Sequence, residues 1–113
     1  MFKKFFSAVL LAAVLIFSTN FAQAQDVYVG TSNATGWDCY IMTETIQHFN
    51  GGIKKATLKM VTQSKNVKYL DYRFEWDAVI VGYHFSNSSG FSGIVDRYST
   101  PIEWSMLQVI TGR

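Results

Sequence analysis

The sequence predicts an α+β domain, an antiparallel meander sheet of five or six strands with one C-terminal helix packed on a face. After residue 25, apolar and polar residues alternate over much of the chain, which is the period of a strand with one solvated face. The Asn-Gly-Gly sequence at 50–52 is typical of a hairpin turn, because these residues tolerate positive φ. The period changes at Thr100, where helical spacing begins.

The first two predicted strands flank a turn with the sequence Asn-Ala-Thr-Gly at 33–36. Residues 26–31 form a short strand, with Val27 and Val29 on one face. Residues 37–49 are rich in β-branched and aromatic side chains, which favour a longer strand.

The middle of the chain predicts three more strands. Apolar residues alternate with lysine and threonine over 55–60, so the third strand has one wet face. A polar break at 63–66 precedes the clearest alternation, over 70–76. Residues 79–85 are apolar again, and 77–78 is either a turn or a bend within one long strand.

The last part of the chain predicts a loop, a strand and the helix. The loop is Asn-Ser-Ser-Gly at 87–90, and the strand covers 91–98, with a bulge at Gly93. Thr100, Pro101 and Glu103 match a capping box with proline at the first helical position. Gly112 can end the helix. The helix has one apolar stripe, formed by Ile102, Met106, Val109 and Ile110.

The first 24 residues have the pattern of a cleavable signal peptide. Two lysines precede an uncharged apolar run at 5–17, and Ala22 and Ala24 fit the small-residue preference of signal peptidase. We expect cleavage after Ala24, which leaves Gln25 as the first residue of a single domain at 25–113. The alternative is a membrane anchor, but only the first part of the uncharged run is strongly apolar, whereas a spanning helix needs about 20 apolar residues. The expectation is therefore an exported protein, periplasmic or extracellular, with no stable membrane insertion after cleavage.

The composition of the expected mature chain limits its partners. It has eight basic and eight acidic residues, so its formal net charge is zero. A basic footprint for nucleic acid is therefore absent, and we expect no nucleic-acid partner. Its 13 aromatic residues provide a large apolar area for a small core.

Cys39 is the single cysteine of the sequence, so it has no intrachain partner. Two interpretations follow: a buried inert thiol, or an intermolecular disulfide that would join two copies as a homodimer.

No residue pattern predicts a catalytic, metal or cofactor site. Cys39, His48 and His84 are the available nucleophile and bases, but neither a helix start nor a glycine turn exposes the thiol. Asp38, Glu44 and His48 lie along one strand, where residues ten apart are separated by more than about 20 Å, too far for one metal ion. The charged residues of the 71–75 alternation are interpreted as a solvated sheet face.

Residues 37–49 have apolar side chains at both odd and even positions, so both faces of this strand must pack against a core or a partner. Trp37, Tyr40 and Met42 are the candidate contact surface for a protein or glycan partner. The alternative is a curled sheet that buries both sets.

The order of features resembles the bacterial surface-adhesin protein E-like family of small exported proteins. The likeness lies in Val-Tyr-Val-Gly-Thr-Ser at 27–32, the repeated hairpins, and Ser-Thr-Pro-Ile-Glu at 99–103. The resemblance implies adhesion or binding to host or envelope components. Members of the family commonly have a cysteine pair near the sheet and the C-terminus, whereas this chain has Cys39 only.

Three functional hypotheses follow. The first is an exported, non-enzymatic binding or adhesion-type module of the bacterial cell envelope. The second is a self-assembling envelope subunit, and the third is a small hydrolase that uses a thiol or histidine.

Overall fold

The computed structural model describes residues 25–112, which form one six-stranded antiparallel sheet and one helix. The elements are β1 Asp26–Thr31, β2 Asp38–Phe49, β3 Ile53–Val61, β4 Val67–Asp77, β5 Gly82–Asn87, β6 Ser92–Ile94 and α1 Pro101–Thr111. Of the expected cleavage-site residues, Ala22 and Ala24 lie outside the described residues, and Gln25 is the first described residue and is exposed. Within the described range, no helix has the length and apolar character needed to cross a membrane.

Each strand pairs with the next one along the chain, in the order β1-β2-β3-β4-β5-β6. This order confirms the predicted meander, and α1 confirms the predicted C-terminal helix. The pairing of β3 with β4 is continuous from Ile53↔Glu75 to Val61↔Val67. The alternation that the sequence shows over both strands is therefore preserved in space.

The core lies between one face of the sheet and α1. The helix contacts β1 and β2 most, and its residues Met106, Leu107 and Ile110 are buried. The Tyr72 and Phe74 rings are stacked with centroids 5.8 Å apart, and Phe85 packs on Tyr72 at 6.1 Å. The sheet contributes Val29, Cys39, Ile41, Ala56, Leu58, Tyr72, Phe74 and Phe85 to this core.

The β2–β3 turn needs glycine at position 52. Gly52 has φ 74°, and a Cβ placed on it would lie 2.7 Å from Trp76 Cβ. Trp76 N donates a hydrogen bond to Gly52 O at 3.0 Å, which brings the end of β4 beside this turn. The hairpin predicted from the sequence is confirmed, and the neighbouring strand explains why its second glycine has no side chain.

A long irregularity in β2 exchanges the two faces of this strand. Met42 pairs with Thr57, but the next pair is Gln47 with Lys55. Thr45 Oγ1 stabilises the irregularity, because it donates to Met42 O at 2.6 Å and accepts from Thr57 N at 2.8 Å. Ile46 consequently packs against the core, although simple alternation would place it beside Met42.

Two predicted strand boundaries are wrong, and an aspartate explains each. Residues 79–81 form a turn rather than the start of β5, because the Asp77 carboxylate accepts a hydrogen bond from Val79 N at 2.9 Å. Asp77 is thus the last residue of β4 and is followed by a turn. The last strand ends at Ile94 rather than at 98, because the Asp96 carboxylate accepts from Tyr98 N and Ser99 N at 2.9 and 2.8 Å. β6 pairs with β5 without a register shift, so the expected bulge at Gly93 is also absent from this pairing.

The helix begins at Pro101 as predicted, but the predicted capping box is wrong. The Thr100 side chain makes no hydrogen bond to the first helical turn, and its Oγ1 accepts from Asp96 N at 2.7 Å. The Glu103 carboxylate accepts instead from Tyr72 Oη in the core. Gly112, with φ 78°, donates its N–H to Val109 O at 3.1 Å and ends the helix as expected.

Candidate functional site

Four side chains form a straight row across the sheet face that α1 does not cover. The strand register pairs Tyr28 with Tyr40, Tyr40 with Lys59, and Lys59 with Tyr69. Directly opposed residues of an antiparallel sheet point to the same face, and adjacent strands are about 4.8 Å apart. We call these four residues the tyrosine row.

The tyrosine row is open to solvent and internally ordered. Tyr28 is 55% exposed and Tyr69 is 58% exposed. The Tyr28 ring meets the Tyr40 ring edge-on, with centroids 5.6 Å apart and an interplanar angle of 65°. The Lys59 ammonium lies 6.0 Å from the Tyr40 ring centroid and 2.6 Å from Asp26 Oδ2. The hydrogen bond from this ammonium to Asp26 raises the pKa of Lys59.

A chain of hydroxyl hydrogen bonds fixes one end of the row. The Tyr28 hydroxyl is hydrogen-bonded to Thr31 Oγ1, which donates to Asp38 Oδ1 at 2.8 Å. Val61 and Val67 lie one register step away on the same face, opposite each other. The surface therefore combines flat aromatic rings, aliphatic side chains, and fixed polar groups at its rim.

The structure separates the three residues predicted as a contact surface. Tyr40 and Met42 lie on the sheet face that α1 does not cover, where Tyr40 belongs to the tyrosine row and Met42 lies beside it. Trp37 does not, because its ring centroid is 5.0 Å from Lys68 Nζ, and Lys68 is on the same face of β4 as the core-facing Leu70 and Tyr72. Sequence reasoning missed Tyr28, Lys59 and Tyr69, whose alignment depends on the register of three strand pairs.

Cys39 lies in the core, where it is 1% exposed. Its Sγ donates to Trp37 O at 3.6 Å. Burial, followed by the nearby Glu103 carboxylate, raises the pKa of the thiol and so opposes the thiolate form. In this conformation Cys39 cannot reach the thiol of a second copy, so a disulfide between copies requires the core to open.

Neither histidine forms a catalytic pair with Cys39. His84 lies on the open face, where its Nε2 is 2.8 Å from Asp77 Oδ2. His48 is 3.1 Å from Lys54 Nζ and pairs with that lysine in the sheet, whereas Cys39 pairs with Met60. Six residues along β3 separate the two pairs, a distance of about 20 Å.

The remaining charged side chains of the sheet are exposed. Asp71 accepts the Thr57 hydroxyl at 2.9 Å, and Arg73 Nη2 is 3.2 Å from Glu75 Oε1. This arrangement agrees with the solvated charged face predicted from the alternation. Within residues 25–112, no three histidine, cysteine, aspartate or glutamate side chains are grouped so that they could hold a metal ion.

Glu103, predicted from the sequence as part of a capping box, is instead a buried carboxyl group in the core. Glu103 is 7% exposed, and its Oε2 accepts a hydrogen bond of 2.6 Å from the hydroxyl of Tyr72, which is 4% exposed. The pair joins α1 to the centre of the sheet. A polar residue in the first helical turn is the only signal in the sequence, and it suggests capping rather than burial.

Comparison with protein-family models, curated proteins and solved structures found no match to this chain.

Proposed function

We propose that this chain is an exported, non-enzymatic binding module of the cell envelope, and that the tyrosine row contacts a protein or glycan partner. The observation that supports this proposal is the register that aligns three tyrosines and a lysine on the uncovered face of the sheet. The resemblance to the surface-adhesin protein E-like family implies the same class of function.

The chemistry of the row suits a partner with a flat, partly apolar surface. Tyrosine offers a large contact area at low conformational-entropy cost, and it is enriched in protein-binding surfaces for this reason. Aromatic rings also stack on the apolar face of a sugar ring, while neighbouring hydroxyl and charged groups bind the sugar hydroxyls. Asp26, Lys59 and Asp38 provide such groups around the rings.

The charge of the surface opposes a polyanionic partner. Lys59 is paired with Asp26, and Asp38 adds an acidic group close to the row. A nucleic acid or a highly sulfated glycan would therefore meet no excess of positive charge here. The proposal is limited to proteins and to neutral or weakly charged glycans.

The state of Cys39 favours a binding role over thiol chemistry. A nucleophilic cysteine needs an accessible thiolate next to a base. Here the thiol is buried, its pKa is raised, and both histidines are engaged elsewhere.

The test is the binding of purified residues 25–113 to arrays of extracellular-matrix proteins, envelope fractions and glycans. We expect saturable binding to at least one of them. A variant with Tyr28→Ala and Tyr69→Ala is expected to bind at least about tenfold more weakly, because loss of an aromatic anchor costs more than 1 kcal/mol. Both side chains are more than half exposed, so we expect the fold to be retained, which a circular-dichroism spectrum of the variant checks.

Tyr98→Ala is the matched control, because Tyr98 is 85% exposed and lies outside the sheet. It is expected to bind like the unsubstituted protein. Equal loss in both variants, or no saturable binding at all, would contradict the proposal.

A self-assembling envelope subunit is the competing function. β1 pairs only with β2 among the described strands, so its outer edge is available for pairing with another chain. Light scattering over a dilution series separates the two functions. A monomer throughout supports the binding module, whereas oligomers that persist on dilution support self-assembly.

A further inference from the structure

The β4–β5 turn presents apolar side chains to solvent. Its sequence at 78–81 is Ala-Val-Ile-Val, and Val79 is 91% exposed, Ile80 40% and Val81 74%. Contiguous exposed apolar side chains are unusual in a soluble domain and mark interaction sites. We call residues 78–81 the apolar apex.

Aromatic rings surround the base of the apolar apex. Trp76 is 42% exposed, and its ring contacts that of Tyr83 with centroids 5.2 Å apart at 70°. A groove of about 390 Å³ lies between the end of β4 and α1, and its lining includes Trp76, Val81, Tyr83 and Trp104. Tryptophan and tyrosine combine an apolar ring with a polar N–H or O–H group, so they are enriched where a membrane meets water.

The β2–β3 turn lies beside the apex and extends the apolar end of the molecule. Gly52 O accepts the hydrogen bond from Trp76 N, which fixes the two turns next to each other. Phe49, at the start of that turn, is 47% exposed. Residues 49–53 and 78–83 contain no charged side chain.

The carboxylates nearest to the apex have hydrogen-bond partners, and the nearest cations, Lys55 and Arg97, lie over the Phe49 and Trp104 rings at 5.4 Å. Asp77 Oδ2 is 2.8 Å from His84 Nε2, and Arg73 Nη2 is 3.2 Å from Glu75 Oε1. An apolar medium that covered only residues 78–81 would therefore not have to remove water from a charged side chain, because these four residues have none. Residues 78–83 contain no basic side chain that would attract an anionic surface.

We propose that the apolar apex docks reversibly into the interface of a lipid bilayer, with Val79, Ile80 and Val81 in contact with the acyl boundary. Trp76, Tyr83 and Trp104 then lie at the level of the headgroups. This site is separate from the tyrosine row and does not depend on its function.

The shape of the apex favours lipid over a second copy or another protein. A stable protein interface buries about 1,200 Å² or more in total, with complementary surfaces. A turn of four residues supplies only a part of that area. A bilayer interface has no fixed shape to match, and a few apolar side chains with flanking aromatic rings are sufficient for reversible association.

The test uses purified residues 25–113 and vesicles of phosphatidylcholine, with or without a minority of phosphatidylglycerol. We expect saturable co-sedimentation with both compositions and little dependence on salt, together with a blue shift of tryptophan fluorescence. Val79→Asp is expected to lower the partition coefficient at least about tenfold, because a charge at apolar membrane depth costs more than 1.4 kcal/mol.

Val67→Asp is the matched control. Val67 is also an exposed valine, 43% accessible, but it begins β4 whereas the apex follows the end of β4. It is expected to partition within about twofold of the unsubstituted protein, since it lies away from the bilayer. The double variant of Tyr28 and Tyr69 should also partition normally, which separates this test from the test of the tyrosine row.

Four outcomes would overturn the proposal. These are no partition at millimolar lipid, equal loss in the Val79 and Val67 variants, and binding that requires phosphatidylglycerol and disappears in salt. The fourth is a lipid-free oligomer that Val79→Asp dissociates, which would identify a second copy as the partner of the apex.

Discussion

At the scale of single residues, the burial of Glu103 is the largest departure from what its position suggests. The first turn of a helix favours an acidic side chain near solvent, where it interacts with free backbone N–H groups. Glu103 lies instead against the sheet, 7% exposed, and accepts the Tyr72 hydroxyl at 2.6 Å. Without this donor the buried carboxyl group would lose a hydrogen bond that offsets its dehydration.

Tyr72→Phe is therefore expected to lower the free energy of unfolding by about 1–3 kcal/mol. The substitution keeps the ring in the core but leaves the Glu103 carboxyl group without its tyrosine donor. Glu103→Gln retains an acceptor for the Tyr72 hydroxyl and is expected to cost less. Urea unfolding of the three proteins measures this difference. Equal stability of Tyr72→Phe and the unsubstituted protein would show that the hydrogen bond contributes nothing net.

The same tyrosine predicts how stability changes at alkaline pH. Burial first, and then the hydrogen bond to Glu103, raise the pKa of Tyr72 above its ordinary value of 10.0. The folded protein thus keeps a proton that the unfolded chain loses. The stabilisation is complete below pH 10.0, declines above it, and is lost as the pH rises through the folded-state pKa.

Urea midpoints measured from neutral pH to above pH 10 check this expectation, with Tyr72→Phe as the control. The unsubstituted protein is expected to lose more stability over this range than the variant. Parallel pH profiles would contradict the assignment of the alkaline effect to Tyr72.

Val81 has a backbone conformation that suits its residue type poorly. Its φ is 52°, in the left-handed region, which costs an L-residue about 1–2 kcal/mol and is rare for β-branched side chains. Val81→Asn is expected to stabilise the fold by about 1 kcal/mol, because asparagine tolerates this region. Val79→Asn is the control, since Val79 is not among the positive-φ residues and is 91% exposed. Thermal unfolding measures both, and an equal shift in the two variants would exclude backbone strain as the cause.

At the scale of elements, alternation predicted the strands well where side-chain burial decides the structure. β4 follows the alternation over 70–76, except that Trp76 stays 42% exposed at the edge of the groove. The boundary of β5 was missed, because Val-Ile-Val at 79–81 has strong strand propensity. The Asp77 carboxylate overrides that propensity with a hydrogen bond to Val79 N.

The sequence predicted only those residues of the candidate contact surface that lie on a single strand, β2. Tyr40 and Met42 share a parity within β2, so their common face was visible in the sequence. The alignment of Tyr28 and Tyr69 with Tyr40 depends on the register across three hairpins. The irregularity at Thr45 determines which residues of β2 after Met42 lie on that face. No glycine, proline or asparagine in this part of the sequence predicts it.

The two glycines of the β2–β3 turn provide a matched pair at this scale. Gly51 and Gly52 have φ values of 79° and 74°, but a Cβ on Gly51 would meet no atom within 4 Å. Gly51→Ala should cost about 1 kcal/mol of backbone strain. Gly52→Ala should cost more, because its Cβ would also lie 2.7 Å from Trp76 Cβ and force the hairpin away from β4.

Unfolding in urea measures the two variants, and the difference between them isolates the contact with β4. A Gly52→Ala protein as stable as Gly51→Ala would show that the two turns move apart freely. In that case the β2–β3 and β4–β5 turns would not form one continuous apolar surface.

At the scale of the whole molecule, the helix covers one face of the sheet and leaves the other to solvent. Within residues 25–112, the buried apolar side chains form one core between that face and α1, and Cys39 is among them. Its reactivity therefore reports on how often the two layers separate. If closing is faster than labelling, the rate follows the equilibrium between open and closed forms.

We expect the native protein to react with a thiol reagent far more slowly than the unfolded chain. Met106 is 0% exposed, and Met106→Ala is expected to cost about 2–5 kcal/mol. If Cys39 becomes accessible only by global unfolding, Met106→Ala should raise the labelling rate by the factor that corresponds to the measured loss of stability of this variant. Val67→Ala, a substitution on the open face, should leave the rate nearly unchanged. Native labelling at the rate of the unfolded chain would mean that Cys39 is accessible, and a disulfide between two copies would then become the leading explanation for this cysteine.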